Sequence, residues 1–305
     1  MNKLFSISLL LCITTISQAQ IAQLKLNLKS GDAYRHVVST NETMSTEVDG
    51  EKSETRATID YTLLLTVAGV LDNAYEIEAR FEKIRLINYV EEDSMTFSSE
   101  IKNAYDLYST IMGAMTNQPF TMKLSDKGTV LRIDDITPIC EQAIEQIPNL
   151  MEVQKNQFKD MILSIVGPPI LRRNFEMANA VFPQKEDMTG DEWMVENHPE
   201  EGIVSAIETN FKVTDISADA YIITGHSTLD TSRKDLSIDN GDAIYKMTGS
   251  MLSTIKLDKK TGLATNAKLN RELTGEIKIK TDTELPKKLP MTIKTDIKVT
   301  NSRIK

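Results

Sequence analysis

The sequence is poor in the residues on which most hydrolases and metal enzymes depend: three histidines and two cysteines occur in 305 residues. His36, His198 and His226 lie far apart, with no HExxH or HxH spacing. Zinc sites usually show closely spaced ligand pairs, so a histidine site here would need all three to converge from distant positions. No phosphate loop or dinucleotide fingerprint is present, and Gly225-His226-Ser227 and Gly249-Ser250 lack the frame of a nucleophile elbow. No catalytic, cofactor-binding or metal-ligating residue is therefore assigned, no cofactor is expected, and a non-enzymatic protein is the expectation. A formal charge of −9 argues against general nucleic-acid binding.

Long hydrophobic runs are also lacking. The apolar stretch Leu4–Ile16 covers about 13 residues, and a membrane span needs about 20. It follows a single positive charge in Met1-Asn2-Lys3 and closes on Ser17-Gln18-Ala19. A basic start, an apolar middle and small residues at −3 and −1 are the parts of a secretory signal, so residues 1–19 are expected to be cleaved. Cys12 follows Leu11 rather than a small residue, and the apolar run continues past it, so it reads as part of that run. Taking 19 from 305 leaves 286 residues with one cysteine, Cys140, and a net charge of −10. A single cysteine forms no internal disulfide, so the fold must rest on its core. The expectation is one exported domain, 20–305, periplasmic or extracellular, with no transmembrane segment after the signal.

What the chain does contain is period-2 alternation. Gln23–Lys29 alternates strictly, Tyr34–Glu47 is rich in Thr, Val and Ser, and Asp49-Gly50 is a strong hairpin signal. A return strand is expected over about 55–67, a turn over Gly69–Asn73, and then a strand whose alternation is irregular near Lys83. The period changes in the middle. Helices are predicted over Ala104–Met115, from Thr137-Pro138 to about Ile147, from an Asn149/Glu152 capping box to Gly167-Pro168-Pro169, and over about Ile170–Ala180. A hairpin turns at Asp126-Lys127-Gly128. Strands then resume over 191–197, 203–215, 219–229, 244–257, 263–279 and 289–300, with turns at Asn240-Gly241 and Asp258–Gly262. The β segment 20–95, helical segment 96–180 and β segment 181–305 define an α+β fold: predominantly antiparallel curved β-sheet packed on a central helical segment. One continuous sheet and two lobes remain equally compatible with this order.

The residues Leu24–Tyr34, Lys123–Gly128, Phe182-Pro183 with Gly190–Trp193, and Asp258–Gly262 resemble a family of uncharacterised exported bacterial proteins, classified only as a domain of unknown function. The resemblance spans nearly the whole chain after the signal. It implies export and the same fold outline, and brings no activity. In layout alone the chain is similar to periplasmic lipoprotein-carrier proteins, in which a curved antiparallel sheet closes over helices around an apolar cavity.

The remaining candidates each have a plain structural reading. Cys140 begins a predicted helix, but Ile139, Ala143 and Ile144 around it favour packing. Glu91-Glu92-Asp93, Asp134-Asp135 and Glu200-Glu201 fall at predicted turns, where solvated charge is the rule. Asp239–Asp242 lacks the terminal glutamate of a calcium loop. An unrecognised hydrolase would require some of Glu91, Asp134, Asp191, His198 and His226 to converge. Nine of the 14 methionines lie between Met95 and Met194, consistent with an ordinary core or an adaptable apolar surface. Residues 41–100 carry 14 acidic and 5 basic side chains, whereas 250–305 carry 6 and 13. Lys278, Lys280, Lys294 and Lys298 share strand-like even spacing. The functional expectation is an envelope protein that binds an apolar ligand or an envelope protein partner, with a structural or assembly component as the alternative.

Overall fold

The computed structural model describes residues 24–48, 50–103, 105–183, 188–189, 191–197, 206–230, 243–279 and 287–304. The expected signal peptide, Asp49, His198, Glu200-Glu201, Asp239–Asp242 and Lys280 lie outside the described residues. The strands are β1 (Ala33–Val48), β2 (Glu51–Leu71), β3 (Ala74–Val90), β4 (Asp93–Ser98), β5 (Pro119–Ser125), β6 (Val130–Ile133), β7 (Met188–Thr189), β8 (Glu192–Asn197), β9 (Ala206–Ile216), β10 (Ala220–Asp230), β11 (Ala243–Asp258), β12 (Ala264–Ile279) and β13 (Lys287–Ile304). The helices are α1 (Leu107–Met115), α2 (Thr137–Glu145), α3 (Glu152–Val166) and α4 (Pro168–Asn179). None is long and apolar enough to cross a membrane.

All thirteen strands join one antiparallel sheet in the order β6-β5-β3-β2-β1-β13-β12-β11-β10-β9-β8-β7, with β4 beside β3. The two β segments are therefore one sheet. Their seam is the pairing of β1 with β13, which runs from Ala33 opposite Ile304 to Thr46 opposite Met291. Alternation explains why these residues pair as they do. Tyr61, Val38, Val299 and Ala267 lie in one cross-strand row and are all buried. A slip of one residue would turn that row to solvent. On the opposite face, ion pairs such as Arg35–Glu82 and Arg85–Asp60 cross between strands.

The irregularity near Lys83 is a bulge. Thr62 pairs with Lys83 and Leu63 with Phe81, so Glu82 has no partner on β2. Both Phe81 and Ile84 consequently reach the packed face, fully buried. β3 is long enough to hold two partners on one edge, β5 along Ala74–Arg80 and β4 along Arg85–Val90. The chain between them carries α1, whose Asp106 cap accepts from the Ser109 amide. α1 packs on β3 and β4, and α4 packs on β6 and β12. On α4 the buried Leu171, Asn174, Phe175, Ala178 and Asn179 have the i, i+3, i+4 spacing of one face. Two prolines start that helix, where their missing N–H groups have no partner to lose.

Several expectations shift. Gly69 sits in β2 at a second bulge, and the turn is only Asp72-Asn73. Ile136 rather than Thr137 caps α2, because the Asp135 carboxylate takes the Thr137 amide at 2.9 Å. The box at the start of α3 uses Gln154, which accepts from the Met151 amide, while Asn149 adopts positive φ in the preceding turn. The β5–β6 hairpin lies inside the segment expected to be helical and belongs to the main sheet. Leu24–Lys29 alternates as expected, with Leu24, Leu26 and Leu28 buried, yet it enters no ladder.

That segment instead straps one end of the sheet. The Leu26 amide donates to Asp126 O at 2.7 Å, the Asn27 amide to Thr261 O at 2.8 Å, and the Tyr75 hydroxyl to Leu26 O at 2.7 Å. Lys127 Nζ reaches both Leu24 O and Pro183 O. Trp193 Nε1 donates to Val181 O at 3.0 Å. Gly262, at φ 71°, lies so close that an added Cβ would stand 2.3 Å from Lys25 O. The short motifs that carry the family resemblance thus converge at one pole of the molecule.

Candidate functional site

From that pole the packed face of β1 runs Tyr34, His36, Val38, Thr40, Glu42, Met44, Thr46. Next to the buried Tyr34, His36 is the buried histidine of this face. Its Nδ1 lies 2.7 Å from Asn301 Oδ1, and Asn301 Nδ2 donates to Ala264 O at 2.6 Å. With the Asn301 amide oriented by Ala264, its oxygen can only accept, so the neutral imidazole carries its proton on Nδ1. The ring packs on Phe175 and Tyr61. Burial pulls its pKa down to about 4, against the hydrogen bond to Asn301. His36 is a core residue that supports the sheet under α4.

Four residues further along the packed face from Val38, a row reads Ala57–Glu42–Thr295–Arg271–Met251 across β2, β1, β13, β12 and β11. Arg271 Nη2 donates to Thr295 Oγ1 at 2.8 Å, and Thr295 Oγ1 donates to Glu42 Oε2 at 3.3 Å. Arg271 itself stands 3.5 Å from Glu42 Oε2, its side chain 11 % exposed against 44 % for Glu42. From α4, Arg173 enters the same electrostatic neighbourhood. Burial lowers its pKa, while Glu42 and Tyr61 act to raise it. Arg271 is held down to about 10 by burial and by the Arg173 charge, with Glu42 opposing. Burial pushes the Tyr61 phenol upward, against Asn174 and the Arg173 charge.

Three buried side-chain atoms among the described residues have no hydrogen-bond partner: Tyr61 Oη, Arg173 Nε and Arg271 Nε. Their residues are coupled through Arg173, which feels the charges of both Tyr61 and Glu42 and acts on Arg271. Buried polar groups usually find a partner, and Asn174 acts on the Tyr61 phenol as a hydrogen-bonding neighbour, so the two arginine Nε groups are the ones that stand without one. Around them β1 and β2 open to solvent. Thr40, Glu42, Met44, Thr46, Ala57 and Ile59 are partly exposed, whereas Ile293, Thr295 and Ile297 beside them are buried. Met251 and Met291 line the buried side, at 4 and 6 % exposure.

Among the described residues, those singled out from sequence lie on separate elements. His226 is exposed on β10, Glu91 sits at the β3–β4 turn, Asp191 begins the turn into β8, and Asp134 accepts the Thr121 amide. No three His, Cys, Asp or Glu side chains among the described residues are placed to hold a metal ion. Cys140 is buried, and burial with the Glu141 charge pushes its thiol up to about 12. The methionines Met112, Met115 and Met122 are core residues. Lys294 pairs with Glu272 at 3.4 Å, so the lysine face is partly neutralised. Glu42, Arg173 and Arg271 were not singled out. For Glu42 and Arg271 the signal is a charge in the apolar phase of a strand: Leu269, Arg271, Leu273 on β12, and Val38, Thr40, Glu42, Met44 on β1.

A thirteen-stranded antiparallel sheet with interleaved helices, strapped at one pole, defines the class. The chain belongs to the family of unknown function DUF6263, the match running over residues 72–264. That range holds every quoted motif except Leu24–Tyr34, which the strap brings to the same pole. No curated protein matches the chain. Among solved structures it is similar to one titled lipid-protein interactions in lipovitellin, at 9 % identity and a TM-score of 0.47, covering 90 % of this chain and 25 % of that one. The chain thus spans a quarter of the lipovitellin it matches. An outer membrane channel from Pseudomonas putida F1 is similar at 9 % identity and TM-score 0.21, covering 90 and 97 %. DynF from the dynemicin pathway of Micromonospora chersina follows at 6 % and 0.21, covering 90 and 82 %. The identities and scores are too low for these likenesses to carry a functional argument.

Proposed function

We infer that this is a non-enzymatic exported envelope protein that binds an apolar ligand along the packed face of a curved sheet. The observation that carries the reading is the opening of that face at Thr40–Thr46 of β1 and Ala57–Ile59 of β2, beside a buried, methionine-lined surface. Methionine side chains adapt to irregular apolar partners. Curvature is supported by the burial of packed-face residues as far apart in the sheet as Phe81, Ile255 and Leu229 within one core cluster. Export rests on the leader, with its short apolar run and Ala19 boundary. A role as an assembly component recognised through the lysine face has less support, since Lys288 and Lys294 face Glu276 and Glu272.

Native mass spectrometry of protein purified from its envelope fraction tests the reading. A retained amphiphile, released by organic extraction, is the expected result. Protein free of any lipid-like mass, which also fails to take up a fluorescent fatty probe, would remove the apolar-ligand function. Amino-terminal sequencing of the same material should begin at Gln20.

A further inference from the structure

The geometry points to β4 as the edge through which a second copy of this chain pairs, joining two sheets in one antiparallel register. This is independent of the apolar-ligand reading. Among the described residues the sheet ends at β6, β7 and β4. At β6 the Val130 amide donates to Glu176 Oε1 at 2.8 Å and Arg172 Nη1 donates to Val130 O at 2.9 Å, so α4 plugs that edge. β7 is only two residues long. β4 carries none of the devices that blunt an edge: Asp93–Ser98 contains no lysine or proline, and its pairing with β3 has no register shift.

The phase of that pairing decides which groups of β4 are free. Val90 and Asp93 flank a two-residue turn and are paired, as are Asn88 with Met95 and Leu86 with Phe97. In such a hairpin these are the hydrogen-bonded pairs, and the residues between them turn their amides and carbonyls the other way. Ser94, Thr96 and Ser98 therefore point away from β3. Ser98 is already satisfied, its amide donating to Ser109 Oγ at 2.8 Å and its carbonyl accepting from the Ile101 amide at 3.0 Å. Ser94 and Thr96 remain, both exposed, and no backbone partner on that side meets them among the described residues.

These two residues fit one arrangement of a second copy. Antiparallel pairing about a two-fold axis at Met95 sets Ser94 against the other copy's Thr96, and the reverse, so every free amide and carbonyl finds a partner. An axis at Ser94 would set Thr96 against the turn, and one at Thr96 would set Ser94 against the satisfied Ser98. Met95, 53 % exposed on the packed face, meets its own counterpart at the axis and is covered there. Charge selects the direction. Parallel pairing would bring the two acidic turns Glu91-Glu92-Asp93 together. The antiparallel arrangement holds the two Asp93 residues about 14 Å apart along the strands, at about 3.4 Å per residue, which exceeds the screening length at physiological salt.

Sedimentation of the purified mature chain over a range of concentrations, in wild type and Thr96→Pro, tests the pairing. Wild type should associate to a dimer. Proline at 96 removes an amide that faces away from β3, so the fold is kept while association weakens at least about tenfold, one hydrogen bond being lost from each side. Met95→Cys should cross-link to its counterpart on mild oxidation, and Ser94→Cys far less, because only a residue on the axis faces itself. Cys140 is buried and does not compete. Circular dichroism matching wild type shows that Thr96→Pro has lost pairing rather than fold, and if it unfolds the two cysteine variants decide. A wild type that stays monomeric at every concentration would overturn the proposal, even if an extended peptide of another protein added to the edge. So would a dimer that Thr96→Pro leaves as tight as before, or equal cross-linking of Ser94→Cys and Met95→Cys.

Discussion

At the scale of single residues, His36 should make stability depend on pH in a defined window. Its ring is buried, and its folded pKa is about 4 because burial disfavours the charged imidazolium. The unfolded side chain titrates near 6.5. Between those values the unfolded chain holds a proton that the folded chain refuses. The contribution is therefore complete above pH 6.5 and is lost as the pH falls towards 4. The slope reaches about 1.4 kcal/mol per pH unit in that window. Below about pH 4 the loss is complete and no longer grows. Urea unfolding of wild type and His36→Gln between pH 4 and 7 isolates the effect, because the carboxylates are common to both. Gln retains an N–H donor for Asn301 and does not titrate, so its curve should be flatter across the window. Parallel curves would mean that His36 is not held neutral by the fold.

At the scale of elements, the strap Leu24–Lys29 is the least expected piece. Alternation reports which side chains are buried, and it is silent about whether the backbone pairs in a ladder. The strict pattern of this segment therefore reads as a strand, while its amides go to the turns at Asp126 and Thr261. Leu26 is fully buried beneath those turns. Leu26→Ala should cost roughly 2–5 kcal/mol, the range for truncating a buried leucine. Amide exchange should rise first at 126–128 and 258–262, the turns the strap holds. Exchange rising evenly over the sheet would show that the strap has no special hold on the pole. Elements whose chemistry is local were legible in the sequence: the long strands, the bulge near Lys83, and the Gly128 and Gly262 turns; Pro168-Pro169, expected to end the helix before them, instead start α4. β4 was not, since Asp93–Thr96 are all exposed and show no alternation. The arginine site was missed for a related reason. Glu42 and Arg271 break the apolar phase of two strands more than 200 residues apart, and only strand order joins them in a row.

At the scale of the whole molecule, the seam between β1 and β13 decides whether the sheet behaves as one unit. These strands lie near opposite ends of the chain, so every contact between them closes a very long loop. The entropy of closing such loops grows slowly with length, but contacts of this kind form late in folding. Once made, the seam joins the β1–β3 meander to the β7–β13 meander, and the strap at the pole adds a second tie. Trp193, the single tryptophan, lies buried in β8 on the far side of the sheet from the seam. Its fluorescence reports that half, and far-ultraviolet circular dichroism reports all strands together. In wild type the two probes should trace one urea transition. Val299→Pro tests the seam directly. Val299 is fully buried opposite Val38 and Ala267, and proline there removes the amide from a central strand. The variant should lose stability, and its two transitions should separate, because the halves are then tied only through the helices and the strap. Coincident transitions in Val299→Pro, merely shifted to lower urea, would place the cooperativity of the sheet outside the seam.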